Sequence, residues 1–355
     1  MTQRTVEFCR ESDIPELFAC FKQWYAFNPR MQEVEYFNWQ FRDCPVRLGK
    51  GEYDFLVMRE ESGAVAGCLG FSGFEFNLNG AIATGGWTHN WYAPDQHEAG
   101  FALLSKFMGL TDNRLFLRLN EKSSAVIRLL RVPFIPAMHR WWAVADAARA
   151  AELFQMSAPA DRDVLARSAG LLGKLRAAAS VPVVPRLDLD AEFHFAHCPE
   201  IVGYPRRSGR YLNWRYADIP KHDYKLIRSE RAFAAFRVET IKGTDAGVVR
   251  ILEWSFGREE TPAALATIMD LVAARRPALI DFHCTAASVG RLLEPYGFMS
   301  QSATTAPMPD LFRPLNHSGG YAVAIDLPPH RTHRHIDFDS WYITNGDSDI
   351  DRVKL

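Results

Sequence analysis

The densest chemistry in the chain lies in one stretch, WTHNWYAPDQHEAGFALL, from Trp87 to Leu104. Histidine is the side chain suited to proton transfer near neutral pH, so His89 could take a proton from an amine. Its alternative is an outward-facing or structural histidine. Asn90 could orient a carbonyl or an incoming group; otherwise it is a satisfied amide at a strand edge. The backbone of Trp91 and Tyr92 could lie against a reacting carbonyl, whose oxygen free N–H groups would polarise. The next residues turn from a strand into a helix. Gly100 and the small Ala102 let the main chain approach a ligand closely. The amides of Glu98, Ala99, Gly100, Phe101 and Ala102, at the positive end of a helix, would cradle a pyrophosphate. An ordinary strand-to-helix turn is the competing reading.

Two further groups fall on expected strands: Glu253 in RILEW and His283 in ALIDFHC. Either could reach a site between two halves of the chain, and Glu253 could instead pair with Arg250 or Arg237. HRTHRH, His330 to His335, has no thiolate or carboxylate placed to complete a tetrahedral metal site, so it reads as a solvated basic loop. DSDIDR, Asp347 to Arg352, lacks the glycine and closing glutamate of a calcium loop. No metal is expected. Cys9, Cys20, Cys44, Cys68, Cys198 and Cys284 include no CxxC pair, so they read as single buried or free thiols in a reducing compartment.

The elements that must position these groups come in two sets. YFNWQFRDCP, Tyr36 to Pro45, returns as YLNWRYADIP, Tyr211 to Pro220. Tyr, Asn, Trp, Asp and Pro recur at the same spacing, which points to a duplication. The length of 355 residues suits two domains. Around the first copy the periodicity predicts β, α, α, a three-strand meander, then α, β, α and a closing strand in HRWWAVAD. Around the second it predicts the same plan, closing with GYAVAIDL. Both are mixed sheets covered by helices, an α/β arrangement in two tandem domains. The boundaries read as 1–150, a helical linker at 151–185, a second domain at 186–327 and a tail at 328–355. Trp39 and Trp214 read as core. With 41 basic and 42 acidic side chains, the chain has no electrostatic footprint for nucleic acid. Its start carries no apolar leader, and no apolar run is long enough to span a bilayer. The expectation is a soluble cytoplasmic protein, with an oligomer possible.

The element order and the turn after the meander resemble the GCN5-related N-acetyltransferase (GNAT) superfamily. Its acyl-CoA turn reads Arg/Gln-x-x-Gly-x-Gly/Ala, matched here by His97, Gly100 and Ala102, with the first position altered. Asn120 is similar to the asparagine that often ends the next strand and faces the pantetheine arm. The tyrosine that often follows, as acid for the thiolate, is replaced at about Leu129. The two halves, the NWQF and NWRY helices, RILEW and DSDIDR together resemble bacterial sugar N-acyltransferases of surface-polysaccharide pathways. That resemblance implies transfer of an acyl group from acyl-CoA (acetyl-CoA or a short hydroxyacyl-CoA) to the amine of a nucleotide-linked amino sugar, such as a dTDP-3-amino-3,6-dideoxyhexose. It makes Arg215, Arg237 and Arg250 candidates for the diphosphate, since guanidinium binds phosphate through two donors. It also brings Asp347, Asp349 and Arg352 toward the acceptor. After its meander the second half reads WSFGREETPAAL, with no Gly-x-Gly/Ala turn and Pro262 at the helix start. Acyl-CoA is therefore expected only in the first half. Two alternatives remain: a Fem-type aminoacyltransferase, which the balanced charge disfavours, and a non-catalytic acyl-CoA-binding protein, which the altered His97 and missing tyrosine permit.

Overall fold

The computed structural model describes residues 4–25, 29–93, 97–117, 119–154, 159–177, 180–241, 244–300, 322–328 and 336–347. The chain opens with β1 (Thr5–Phe8), α1 (Ile14–Trp24) and α2 (Val34–Phe41). Ile14, Leu17 and Phe21 recur at helical spacing, and all three are buried. A meander follows: β2 (Phe55–Arg59), β3 (Val65–Leu78) and β4 (Ala81–Tyr92). Asn79 and Gly80, both with positive φ, form the two-residue turn between β3 and β4. Then come α3 (His97–Met108), β5 (Arg114–Leu117), α4 (Glu121–Leu129), β6 (Phe134–Ile135) and β7 (His139–Val144). Next are α5 (Ala147–Leu153), α6 (Pro159–Gly173) and four short strands, β8 (Val183–Val184), β9 (Glu192–Phe193), β10 (Gly203–Pro205) and β11 (Arg207–Ser208).

The plan then repeats. α7 (Gly209–Leu212) runs into a π-helical turn, Asn213–Ala217. The second meander is β12 (Lys225–Arg228), β13 (Phe233–Thr240) and β14 (Gly247–Trp254). It leads to α8 (Thr261–Val272), β15 (Pro277–Cys284), α9 (Ala287–Arg291), β16 (Met299–Ser300) and β17 (Val323–Asp326).

The sheets have matching orders. The first is β1-β2-β3-β4-β5-β17-β6, with β10 added on β3; the second is β8-β12-β13-β14-β15-β7-β16. Each contains one parallel pair, β4 with β5 and β14 with β15, at the same place in the order.

Here the structure corrects the sequence reading. β7, expected to close the first half, pairs with β15 and β16 of the second sheet. β17, expected to close the second, pairs with β5 and β6 of the first. The halves exchange one strand each, so cuts at 150 and 327 do not separate the sheets. Strand pairing is non-local, and periodicity along one segment cannot say which neighbour it finds. The expected linker is also part of the second body. Leu165 of α6 packs with Trp142 and Val144 of β7. Ser168 donates to Gly297 O at 2.7 Å and accepts from Val144 N at 2.9 Å. The edge strand β8 lies in the same stretch.

The repeated segments meet each other. The Trp39 and Trp214 rings stack at 5.1 Å with planes 20° apart. Trp39 Nε1 donates to Trp214 O at 2.7 Å, and Trp214 Nε1 donates to Trp39 O at 2.9 Å. This reciprocity is what a local twofold relation between two copies produces. Both rings are buried, as the core reading expected. Among the described residues, no helix is long and apolar enough to cross a membrane.

Candidate active site

β4 and β5 run side by side only at Gly86–Arg114 and Trp87–Leu115. Beyond Trp87 they diverge, and the last residues of β4 lose that neighbour. On its other side β4 carries a bulge: Gly70 faces His89 and Cys68 faces Tyr92, with Asn90 and Trp91 opposite a single residue of β3. Asn90 takes φ +46°, a left-handed conformation uncommon outside glycine. Its Oδ1 is buried without a hydrogen-bond partner among the described residues. α3 begins at His97, just past this opening.

His89 is buried, with Nε2 3.0 Å from Ser72 Oγ. Ser72 Oγ also donates to Gln40 O at 3.4 Å. The His89 ring lies edge-on to Phe41 and Trp87. Trp91 packs beside Gly100, and Tyr92 stacks on Trp24 at 4.5 Å. Ala99 and Gly100 are buried, whereas Phe101 and Ala102 are exposed on α3. The side chains of His97 and Glu98 lie outside the described residues, as do Asp349, Arg352 and the whole of HRTHRH. A Cβ on Gly100 would sit 3.5 Å from Trp91 Nε1 and 3.7 Å from Ala93 Cβ, ordinary contact distances. Gly100→Ala is therefore expected to fold with unchanged Tm. Gly100→Val, with two more methyl groups, should weaken CoA binding; unchanged CoA affinity by calorimetry would remove Gly100 from the cradle.

Several expected site residues meet the chain's own groups. Asn120 caps α4: its Oδ1 accepts from Ser123 N at 2.9 Å, a local task that leaves only its Nδ2 for a ligand. Leu129, already expected to lack the acid, is 80% exposed. Arg215, Arg237 and Arg250 are interior side chains. Arg215 Nε donates to Gly346 O at 2.6 Å. Arg237 lies over the Tyr224 ring and 3.5 Å from Glu239. Arg250 bonds Glu239 and Asp281. Arg215 and Arg250 thus bond to the chain's own groups, whereas the Arg237 guanidinium nitrogens are buried with no hydrogen-bond partner among the described residues. Spacing could not reveal Gly346 or Asp281 as partners, because they come from the tail and from another strand.

Glu253 pairs with neither Arg250 nor Arg237. It accepts from Arg207 Nε at 3.0 Å and from Tyr216 Oη at 2.9 Å, and Arg207 also bonds Asp347 at 2.7 Å. These groups line the opening of β14 from β15, where the chain's own residues Trp341 to Asp347 lie. Thr285 N donates to Ile343 O at 2.9 Å, Trp254 N donates to Tyr342 Oη at 2.8 Å, and Thr344 bridges to Cys284. His283 is buried on β15, one residue before Cys284. The second opening is thus filled by the tail, a stronger obstacle to a ligand than the missing glycine turn.

Burial pushes Glu253 up to about 7; Arg207 opposes this shift and Asp347 reinforces it. Burial opposes the charge on Arg207, but Asp347 and Glu253 more than offset it and hold its pKa above the ordinary value. Glu253 is ordinarily half-ionised near 4.5, so the folded chain holds an extra proton between about 4.5 and 7. Its contribution to stability therefore falls as pH rises through that window, by at most about 3 kcal/mol, and is level above it. Glu253→Gln mimics the protonated form. Its Tm should lie close to wild type at pH 5 and move above it by pH 8. A gap that stays constant in melts at both pH values would overturn this assignment.

All six cysteines are unpaired. Burial pushes Cys44 up to about 12 and Cys198 to about 11, which disfavours thiolate chemistry there. Among the described residues, no cluster of three or more His, Cys, Asp or Glu could hold a metal.

No family model matches the sequence, and no curated protein sequence matches it. In fold, the chain is similar to a GCN5-related N-acetyltransferase from Anabaena variabilis. The two are 13% identical, over 90% of this chain and 72% of that one, with a TM-score of 0.51. It is also similar to N-myristoyltransferase of Saccharomyces cerevisiae, solved with bound myristoyl-CoA and inhibitors. There the identity is 9%, over 91% of this chain and 79% of the other, with a TM-score of 0.50. The fold is the GNAT fold, present twice. In each GNAT-like body the parallel pair opens at its C-terminal end. Among the described residues, the first opening stands beside a helix start with no tail segment between its strands, whereas the second holds Trp341 to Asp347.

Proposed function

We propose that the protein is a CoA-dependent N-acyltransferase whose acyl-CoA binds the first GNAT-like body. The observation that carries this reading is the divergence of β4 from β5 at Trp87, beside the start of α3 and the bulge at Asn90. The residues fit such a cosubstrate. The amides of residues 98 to 102 would hold the pyrophosphate, and the end of β4 would lie along the arm. Acyl-CoA supplies an activated carbonyl with a thiolate leaving group. The chain's own residues must then take one proton from the amine and stabilise the carbonyl oxygen. Backbone N–H groups at the end of β4 suit the second task. His89 suits the first. With Ser72 Oγ donating to Gln40 O, its lone pairs hold a proton on His89 Nε2, so Nδ1 is the basic nitrogen of that tautomer. The acceptor in this reading is the amine of a nucleotide-linked amino sugar, bound between the halves of a cytoplasmic enzyme.

The test is a screen of acyl-CoAs against dTDP- and UDP-linked amino sugars, read as free thiol release. No thiol release with any amine, despite tight CoA binding, would favour the non-catalytic alternative. His89→Ala should lower turnover by about 100-fold, the lower end of the usual range for a general base. Its CoA affinity should hold, because the cradle is backbone. The loss should shrink at high pH, where the amine is already neutral. An equal loss at every pH would make His89 a positioning residue instead.

A further inference from the structure

Arg237 lies on β13 and is 4% exposed. Its Nε, Nη1 and Nη2 are all buried, and none meets a hydrogen-bond partner among the described residues. A guanidinium stays charged in a folded protein and carries five N–H donors. Burying it without an acceptor is strongly unfavourable.

The carboxylates along this row are engaged. Glu239 Oε2 accepts from Arg250 Nε at 2.9 Å, while Arg237 Nη2 stands 3.5 Å from Glu239 Oε1. Asp281 accepts from Arg250 and from Arg140, the latter at 2.7 Å. The half-buried Tyr224 ring lies 5.7 Å from the Arg237 guanidinium carbon. A ring face offsets part of a cation's charge but gives its N–H groups no lone pair in the ring plane.

The fold itself does not require charge at this place. Asn90-Trp91 and Glu253-Trp254 mark the corresponding ends of β4 and β14, and Trp87 and Arg250 each stand three residues earlier. In the first sheet Ser72 faces Trp87, and Trp87 faces Leu115 of β5. In the second, Arg237 faces Arg250, and Arg250 faces Asp281 of β15. Trp87 and Leu115 belong to an apolar core. The same row thus packs with one hydroxyl and two apolar side chains in the first body. Two arginines and an aspartate replace them in the second, and Arg237 is the member left without an acceptor.

We propose that Arg237 holds a small monovalent anion, of chloride's size, beside Tyr224. One unmatched guanidinium calls for one negative charge. Glu239, close by, repels an ion of higher charge. A halide accepts hydrogen bonds from any direction, so one ion can meet two N–H groups of the fork. The site belongs to the second sheet, so it stands or falls apart from the transferase reading.

The experiment melts the full chain in sodium chloride and in sodium gluconate at equal ionic strength, gluconate being too bulky for a buried site. An ion bound only by the folded state raises Tm with its concentration. For a site half-filled near 10 mM, Tm should rise by about 2–5 °C between 1 and 100 mM chloride, relative to gluconate. Bromide should replace chloride. Arg237→Met removes the charge and keeps an apolar stem. Its Tm should match or exceed wild type in gluconate and show no chloride response. If Arg237→Met fails to fold, wild-type crystals soaked in bromide carry the test, with an anomalous peak expected at the Arg237 guanidinium. No chloride response in wild type, or no bromide at Arg237, overturns the proposal and leaves water as the partner. An equal response in wild type and Arg237→Met means an adventitious ion only. Stabilisation through Arg237 by pyrophosphate and not by chloride overturns the choice of a monovalent ion.

Discussion

Ending the chain at residue 340 should unfold the second body and, through the exchanged strands, the first. Trp341, Tyr342 and Ile343 are buried between the ends of β14 and β15 and the flanking β10 segment. Removing one such side chain from a core costs about 1.5–3 kcal/mol by area alone, and three together approach the 5–15 kcal/mol that holds a whole domain. The hydrogen bonds add to this. Tyr342 N donates to Gly203 O at 2.9 Å and Val202 N donates to Ser340 O at 2.8 Å, tying the tail to β10, which itself pairs with β3 of the first sheet. Loss of Asp347 would leave Arg207 with Glu253 alone in a fully buried site. Breaking a buried ion pair from one side typically costs about 3–5 kcal/mol. The truncated chain should therefore show no cooperative thermal transition. A Tm within a few degrees of wild type would show that the tail is an ornament on the second cleft rather than its filling. A milder variant separates filling from grip. A Cβ on Gly346 would lie 2.0 Å from Tyr216 Oη, so Gly346→Ala should lower Tm while leaving the apolar tail residues in place.

How far the sequence revealed this arrangement depends on the range of each interaction. Local patterns were readable: the Asn79-Gly80 turn, the apolar stripe of α1 and the small residues opening α3 all act within a few neighbours. The duplication was readable because two segments share Tyr, Asn and Trp in register. What those tryptophans touch was not, because a repeat announces common ancestry and says nothing about contact. The strand exchange escaped for the same reason. β7 and β17 have ordinary closing-strand patterns, and either sheet would satisfy their alternation. The arginines show the limit most sharply. Arg215 and Arg250 carry the chemistry of a phosphate ligand, yet their partners, Gly346 O and Asp281, are distant in sequence and near in space. The residues missed outright include the neutral Ser72, which touches His89, and the charged Arg207, which joins Glu253 to Asp347.

Trp214→Ala should cost about 3–5 kcal/mol, the usual range for emptying a large aromatic site. It removes the stacked ring and the bond from Nε1 to Trp39 O, while Trp214 O still accepts from Trp39 Nε1. Trp39→Ala should cost a similar amount by the reciprocal loss. The double variant separates a real coupling from two independent core deletions. Stacked aromatics that also exchange hydrogen bonds should couple by about 0.5–3 kcal/mol, so the double change should cost less than the two single changes together. Additivity within about 0.5 kcal/mol in urea melts would mean that the rings only fill space. Trp214→Phe keeps a ring and deletes the donor, so it should fall between wild type and Trp214→Ala.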